Sequence, residues 1–203
     1  MSTPAEKLKE RYTYTDYITW DDDIRYELID GIPYAMASPS QFHQLALSEL
    51  HAQFRDFLKN KPCYVFSASA DVRLSVSDLG DDVFQPDLYV TCDFSKMDGQ
   101  SLRGAPDLAI EILSPSTADR DRKEKYSKYL AAKVPEYWII DLTSRSVSVF
   151  TLKNDIYDCR IYGAKSKIVL SALQGCEIDM EPIFSAVDIL ENIIKKNMEA
   201  KNE

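Results

Sequence analysis

The stretch Ala105-Pro106-Asp107-Leu108-Ala109-Ile110-Glu111-Ile112-Leu113-Ser114-Pro115-Ser116 constrains this chain more than any other. It is an apolar, strand-like run that places an acid, Glu111, where a core strand ordinarily carries Ile or Val. A Ser-Pro-Ser-Thr turn follows, and then a helix rich in charge. Burying a carboxylate among Ile and Leu is costly unless something pairs with it, and a metal ion or a lysine is the usual partner. Upstream, Val83-Phe84-Gln85-Pro86-Asp87-Leu88-Tyr89-Val90 repeats the pattern of one acid after proline inside an apolar run. Two strands with one inward acid each are the minimum apparatus for holding a divalent cation.

Composition narrows the classes. At 203 residues and 45% apolar content the chain fits one domain with a proper core. A net charge of −9 counts against non-specific coating of nucleic acid, but not against local engagement of phosphate through a basic face and a metal. The four cysteines (Cys63, Cys92, Cys159, Cys176) lack ligand spacing, and no apolar run nears the length of a membrane span. They read as reduced core thiols of a cytoplasmic protein. With only two histidines, His43 and His51, a multi-histidine zinc site is nearly excluded.

Along the chain, 1–11 is polar and read as frayed, as is 199–203, leaving a core of about 14–189 within one domain spanning 1–203. Thr15 is placed as the cap of a short helix, and Asp21-Asp22-Asp23 as a solvated loop. Ile24–Ile29 and Pro33–Ala37 form a hairpin through Asp30-Gly31. A helix spans Gln41 to Asn60, with Leu47, Leu50, Phe54 and Phe57 on its buried face and His43 at its start, more a capping residue than a ligand. Phe66–Leu74 and Phe84–Val90 read as two strands, followed by a loop containing Gly99 and Gly104 and then the strand Leu108–Leu113. The charged helix runs from Ala118 to Lys133, ended by Val134-Pro135. Glu136–Asp141, Ser146–Thr151, Asp155–Tyr162 and Lys167–Leu170 are strands, and Ile183–Met198 is a closing helix.

Four groups stand out: Glu27, Asp87, Glu111 and Lys125. Two carboxylates plus the carbonyl of Ile112 supply part of an oxygen shell for a hard cation. A lysine beside them can orient or deprotonate a water, or stabilise transition-state charge. Bland readings stand next to these. Asp87 alone is as readily structural, and Glu27 can pair with Arg25. Asp107 lies about 13 Å from Glu111 along the strand at ~3.3 Å per residue, and is read as closing the Gly104 loop. Asp121, Lys125 and Tyr129 form one row on the helix, while Lys123 and Lys128 point elsewhere, toward DNA backbone contacts.

These residues together resemble a family. Tyr26-Glu27-Leu28-Ile29-Asp30-Gly31, Gln85-Pro86-Asp87, the Pro106-to-Thr117 run, Asp121 with Lys125, and Val134-to-Asp141 occur in the order found in the Uma family within the PD-(D/E)XK nuclease superfamily. The resemblance implies an α/β (α+β) fold: a restriction-endonuclease-like core with a mixed central sheet flanked by helices, and an added antiparallel region. It implies Asp87 and Glu111 as metal-binding acids, Lys125 as the helix lysine and Glu27 as the early-strand glutamate, with Mg²⁺ or Mn²⁺ as cofactor and DNA as substrate. The lysine of the superfamily stands two residues after the acid; here that position is Leu113, and the charge is implied to have moved to Lys125. Two expectations compete: an endonuclease that hydrolyses DNA phosphodiesters, with two chains forming a homodimer to cut a duplex, and a nuclease-fold module without cleavage activity that binds DNA or protein.

Overall fold

A computed structural model describes residues 10–21, 23–75, 77–115 and 117–201. The expected frays at 1–9 and 202–203, Asp22 of the acidic loop and Ser116 of the Ser-Pro-Ser-Thr turn lie outside the described residues. The first helix, α1 (Tyr14–Tyr17), is capped by Thr13 rather than Thr15. Thr13 and Asp16 exchange bonds as a capping box, and Thr15 Oγ1 instead donates to the Asp78 carbonyl at 3.0 Å. Strands β1 (Tyr26–Ile29) and β2 (Ile32–Ala35) form the expected hairpin. Asp30 (φ 51°) and Gly31 (φ 73°) both take the left-handed conformation that a two-residue turn of this twist needs. Gly31 is further required because a Cβ there would meet the Tyr12 carbonyl at 2.8 Å. Ser40 caps α2 (Gln41–Leu58) by accepting from His43 N–H, and Asn60 at φ 64° turns the chain away two residues past its end.

Each of the next two expected strands is two strands. Tyr64–Ser67 (β3) and Asp71–Arg73 (β4) belong to different sheets, as do Val83–Phe84 (β5) and Leu88–Thr91 (β6). Pro86 has no N–H to continue a ladder, so β5 ends before it and β6 begins after it. Where β3 passes into β4, Ala68 N–H donates to the Asp87 carbonyl at 3.0 Å, which ties this crossing to the one at Pro86. The loop expected around Gly99 contains a 3-10 turn (Phe94–Lys96) and a three-residue strand, β7 (Ser101–Arg103), parallel to β4.

Strand β8 (Leu108–Ile112) is buried along its whole length. A continuous helix over 118–131 connects it to the parallel strand β9 (Glu136–Asp141). That helix is α-helical at Ala118–Arg120 (α3) and Tyr126–Ala131 (α4), with a π-helical segment at Asp121–Lys125. Strands β10 (Ser146–Lys153) and β11 (Ile156–Gly163) extend the sheet antiparallel. β12 (Lys167–Val169) pairs with β13 (Glu177–Asp179), a strand the sequence did not show, and Asp179 caps α5 (Met180–Glu199), which starts three residues earlier than expected and includes Glu199.

The result is a mixed six-stranded sheet, β11-β10-β9-β8-β6-β3, beside a five-stranded sheet, β2-β1-β5-β4-β7. Side chains alternate across a strand. On β8, Leu108, Ile110 and Ile112 join the core under α2 and α5, while Ala109 faces the opposite side with Tyr129 and Tyr137. Glu111 shares the parity of Ala109 and lies beneath the 118–131 helix. The cysteine expectation is corrected: register opposes Tyr64 and Thr91, which brings the next residues outward, Cys63 and Cys92, face to face in a disulfide. Cys176 is buried as expected, but Cys159 is exposed. Among the described residues no helix is long and apolar enough to cross a membrane.

Candidate active site

The acids converge because two strand registers agree. Leu88 opposes Ile110 and Tyr89 opposes Ala109, so one further step in the same register sets Asp87 opposite Glu111. Glu27 arrives from the other sheet, where its Oε1 accepts the backbone N–H of Gln85 at 2.9 Å. From above, Lys125 places Nζ 2.8 Å from Glu27 Oε1, 2.8 Å from Glu111 Oε1 and 3.5 Å from Asp121 Oδ1. Glu27 therefore pairs with Lys125, not with Arg25. The π-helical segment Asp121–Lys125 widens the turn just where these two side chains descend to the sheet, as π-bulges often do at functional sites. Tyr129, one turn on, donates its hydroxyl to Glu111 Oε1 at 3.2 Å.

Position 113, where a lysine was absent, explains the arrangement. Leu113 packs with the aromatic cluster of Tyr126, Tyr129 and Tyr137, on the same side of the strand as Glu111. The ammonium instead reaches the acid from the helix that covers that face.

Asp87 has a second support that sequence reasoning missed. Its Oδ2 lies 3.0 Å from His43 Nε2 and accepts the Ile112 N–H at 2.7 Å. His43 is only 7% exposed, and its clue was a polar residue on the helix face otherwise formed by Leu47 and Leu50. Leu113 N–H donates to Ile140 on β9, so the polar groups of Ile112 face the opposite edge, toward Asp87.

Electrostatically the centre is overloaded with negative charge. Burial, reinforced by Asp121, Asp87 and Glu27 and opposed by Lys125, pushes Glu111 well above the usual carboxylate range. Burial also raises Asp121, again against the pull of Lys125. For Lys125 burial disfavours the charge, but attraction to Glu111, Glu27 and Asp121 outweighs it and holds the ammonium charged far above its ordinary range. One cation thus faces three carboxylates, a surplus that a second cation relieves.

The donor set fits a hard divalent ion. Hydrogen bonds end on Oδ2 of Asp87 and Oε1 of Glu111; among the described residues Oδ1 and Oε2 accept none, and both acids line a cleft of ≈ 610 Å³. Among the described residues no group of three or more His, Cys, Asp or Glu side chains is placed to hold a metal ion by itself. The fit is therefore to an ion that keeps water and substrate oxygens in its shell, as Mg²⁺ does.

Glu27, Asp87, Glu111, Ile112 and Lys125 all line that one cleft. Asp107 does not: its Oδ2 accepts the Cys92 N–H at 2.7 Å, while the Gly104 loop is closed by Gly104 N–H to the Arg73 carbonyl at 2.6 Å. Nor is Lys128 a free cation for a phosphate, because Asp30 and Asp82 (2.9 Å) hold it.

Comparison with known proteins decides the family. The family described as "Uma2: Putative restriction endonuclease" matches residues 14–181. This chain belongs to the Uma2 family. Its fold is shared with a crystal structure described as that of a putative nuclease belonging to DUF820 from Anabaena variabilis, with a TM-score of 0.69 and 19% identity, over 86% of this chain and 98% of that one. In sequence it is similar to the "Uncharacterized protein slr1290" of Synechocystis sp., 28% identical over 177 residues that cover 85% of this chain and 89% of the relative. The restriction-endonuclease-like core expected for a Uma2 chain is thus the fold observed.

Proposed function

We propose that this Uma2 chain is a metal-dependent endonuclease that hydrolyses phosphodiester bonds in DNA. The observation that carries the reading is Lys125, which bridges Glu27 and Glu111 at 2.8 Å each on the wall of a cleft where Asp87 stands opposite Glu111. Asp87, Glu111 and the Ile112 carbonyl would hold Mg²⁺ or Mn²⁺, which when bound polarises the phosphate and lowers the pKa of water. The remaining roles belong to the chain itself. The Lys125 ammonium hydrogen-bonds the attacking water and the charge growing on the phosphate oxygens. The water oxygen bonds to phosphorus and gives up a proton to solvent, the bridging P–O bond breaks, and the leaving sugar oxygen takes up a proton from solvent, so that one water is consumed per bond cut. Glu27 and Asp121 hold Lys125 in place, Tyr129 orients Glu111, and His43 orients Asp87. Cutting both strands of a duplex with one site per chain calls for two copies related by a two-fold axis.

A second reading, a nuclease-fold module that binds without cutting, is favoured by the seal on Lys125, which is 2% exposed and fully ion-paired. Nicking of supercoiled plasmid with Mg²⁺ or Mn²⁺ separates the two. Wild type nicks and Lys125→Ala is slower by roughly 10²-fold or more, the scale of a lost proton-transfer or charge-stabilising group, with metal affinity nearly intact. Equal rates remove Lys125 from the chemistry; no nicking by wild type with either metal leaves the binding module.

A further inference from the structure

Beside the cleft lies a second cavity of ≈ 360 Å³ that shares two residues with it, Arg25 and Gln85. These two therefore form the wall between the cavities. The second cavity is lined by the rings of Tyr14, Tyr17, Trp20 and Tyr26, and Ile18 is 54% exposed at its side. Tyr14 and Tyr26 are buried behind the cavity, and the half-buried rings of Tyr17 and Trp20 are the ones that give it an aromatic wall in an otherwise acidic protein.

Gln85 is the informative residue. It is 5% exposed, and its backbone N–H donates to Glu27 of the catalytic cluster. Its side-chain Nε2 donates to Asp71 Oδ1 at 2.9 Å and to the Tyr17 hydroxyl at 3.2 Å. Its Oε1 is buried with no hydrogen-bond partner among the described residues. A buried acceptor left unpaired is costly, and an N–H donor is the group that completes it. Arg25, on the same wall, has no carboxylate partner among the described residues, whereas Lys125 and Arg145 of the cleft are ion-paired. A guanidinium without a carboxylate between an acidic, cation-accepting cleft and an aromatic cavity suits a phosphate that links one nucleotide to the next.

We infer that the aromatic cavity is a subsite for one unpaired DNA base next to the scissile phosphate. Arg25 takes the intervening phosphate, Gln85 Oε1 accepts from the base, and the rings of Tyr17 and Trp20 supply the stacking surface. Every base carries an N–H donor on its pairing edge, and in a duplex that donor is already used by the complementary base. The subsite therefore reads whether a nucleotide is paired rather than which base it is, and stacking on aromatic rings is tolerant of sequence in the same way. The substrate class that follows is DNA with a gap, bulge or single-stranded flank. This inference rests on the nuclease reading above.

The test uses a gapped duplex with 2-aminopurine opposite the gap, and a blunt duplex of the same sequence, each with Ca²⁺ in place of Mg²⁺. Wild type should bind the gapped DNA at least tenfold more tightly, with quenching of 2-aminopurine fluorescence. Trp20→Ala should bring the gapped DNA down to the affinity of the blunt duplex. Because Trp20 packs edge-on against Tyr12, Tyr17 and Tyr26, Ile18→Glu, a change at an exposed side chain, is the second variant and should have the same effect. Equal wild-type affinities for the two DNAs, or a preference that survives in folded variants, overturns the subsite. If neither DNA is cut with Mg²⁺ or Mn²⁺ but the preference stands, the nuclease reading falls and the subsite does not. If cutting proceeds without any preference, the subsite falls alone.

Discussion

Two buried glutamates sit on adjacent strands and have opposite characters. Glu136 on β9 is fully buried; its Oε1 accepts Trp138 Nε1–H at 2.6 Å and its Oε2 accepts the N–H groups of Ser171 and Ala172 at 2.7 and 2.9 Å. Both oxygens are satisfied by neutral donors, which fasten the 171–172 turn to the sheet. Glu111 on β8 is also buried, but among the described residues one oxygen carries all its bonds, from Lys125 and Tyr129, while the residue lines an open cleft. Glu136 is closed on both oxygens and Glu111 is half-open. A buried acid in an apolar strand is thus not by itself a sign of chemistry; what separates structure from function is which donors complete it.

The largest expected effect removes the open side altogether. In an Asp87→Ala/Glu111→Ala double variant, Mn²⁺ binding followed by calorimetry should disappear, whereas Glu136→Gln should leave it intact. Retention of the binding heat in the double variant would place the ion elsewhere. A smaller effect sharpens the role of His43. As a residue that orients a ligand, its replacement by Asn should lower activity or metal affinity about tenfold, with the melting temperature nearly unchanged. The smallest belongs to Lys128. Held by Asp30 and Asp82, it should cost less than about 1 kcal/mol when changed to Ala, in urea unfolding, and leave the salt dependence of DNA binding as in wild type.

The half-open centre was more legible in the sequence than its surroundings. Glu111 and Asp87 stood out because each breaks an apolar run, and that signal is local. The role of Lys125 came from the family resemblance; the four-residue spacing only set it in one row with Asp121 and Tyr129, and all three are buried. The Asp30-Gly31 turn was readable because its residues tolerate positive φ. What was not readable depends on register between distant segments: the His43–Asp87 contact across 44 positions, the Cys63–Cys92 pair across 29, and the pairing of Lys128 with two aspartates. The split of each long apolar run into strands of two sheets was hidden for another reason. Hydrophobic pattern continues through Pro86 although the hydrogen-bond ladder does not. The strands β7 and β13, three residues each, are too short to show a period.

The contrast between Glu111 and Glu136 is tested most directly by making the same change at both positions and measuring stability and cleavage on each variant. Glu111→Gln should abolish metal-dependent nicking while its urea-unfolding free energy stays within about 1 kcal/mol of wild type or rises, since Lys125 keeps Glu27 and Asp121 and a repelled carboxylate is removed. Glu136→Gln should nick at the wild-type rate yet lose about 2–4 kcal/mol, because an amide NH₂ must face donors that a carboxylate oxygen satisfied. The reverse pattern, an active but unstable Glu111→Gln and a stable but inactive Glu136→Gln, would contradict the account.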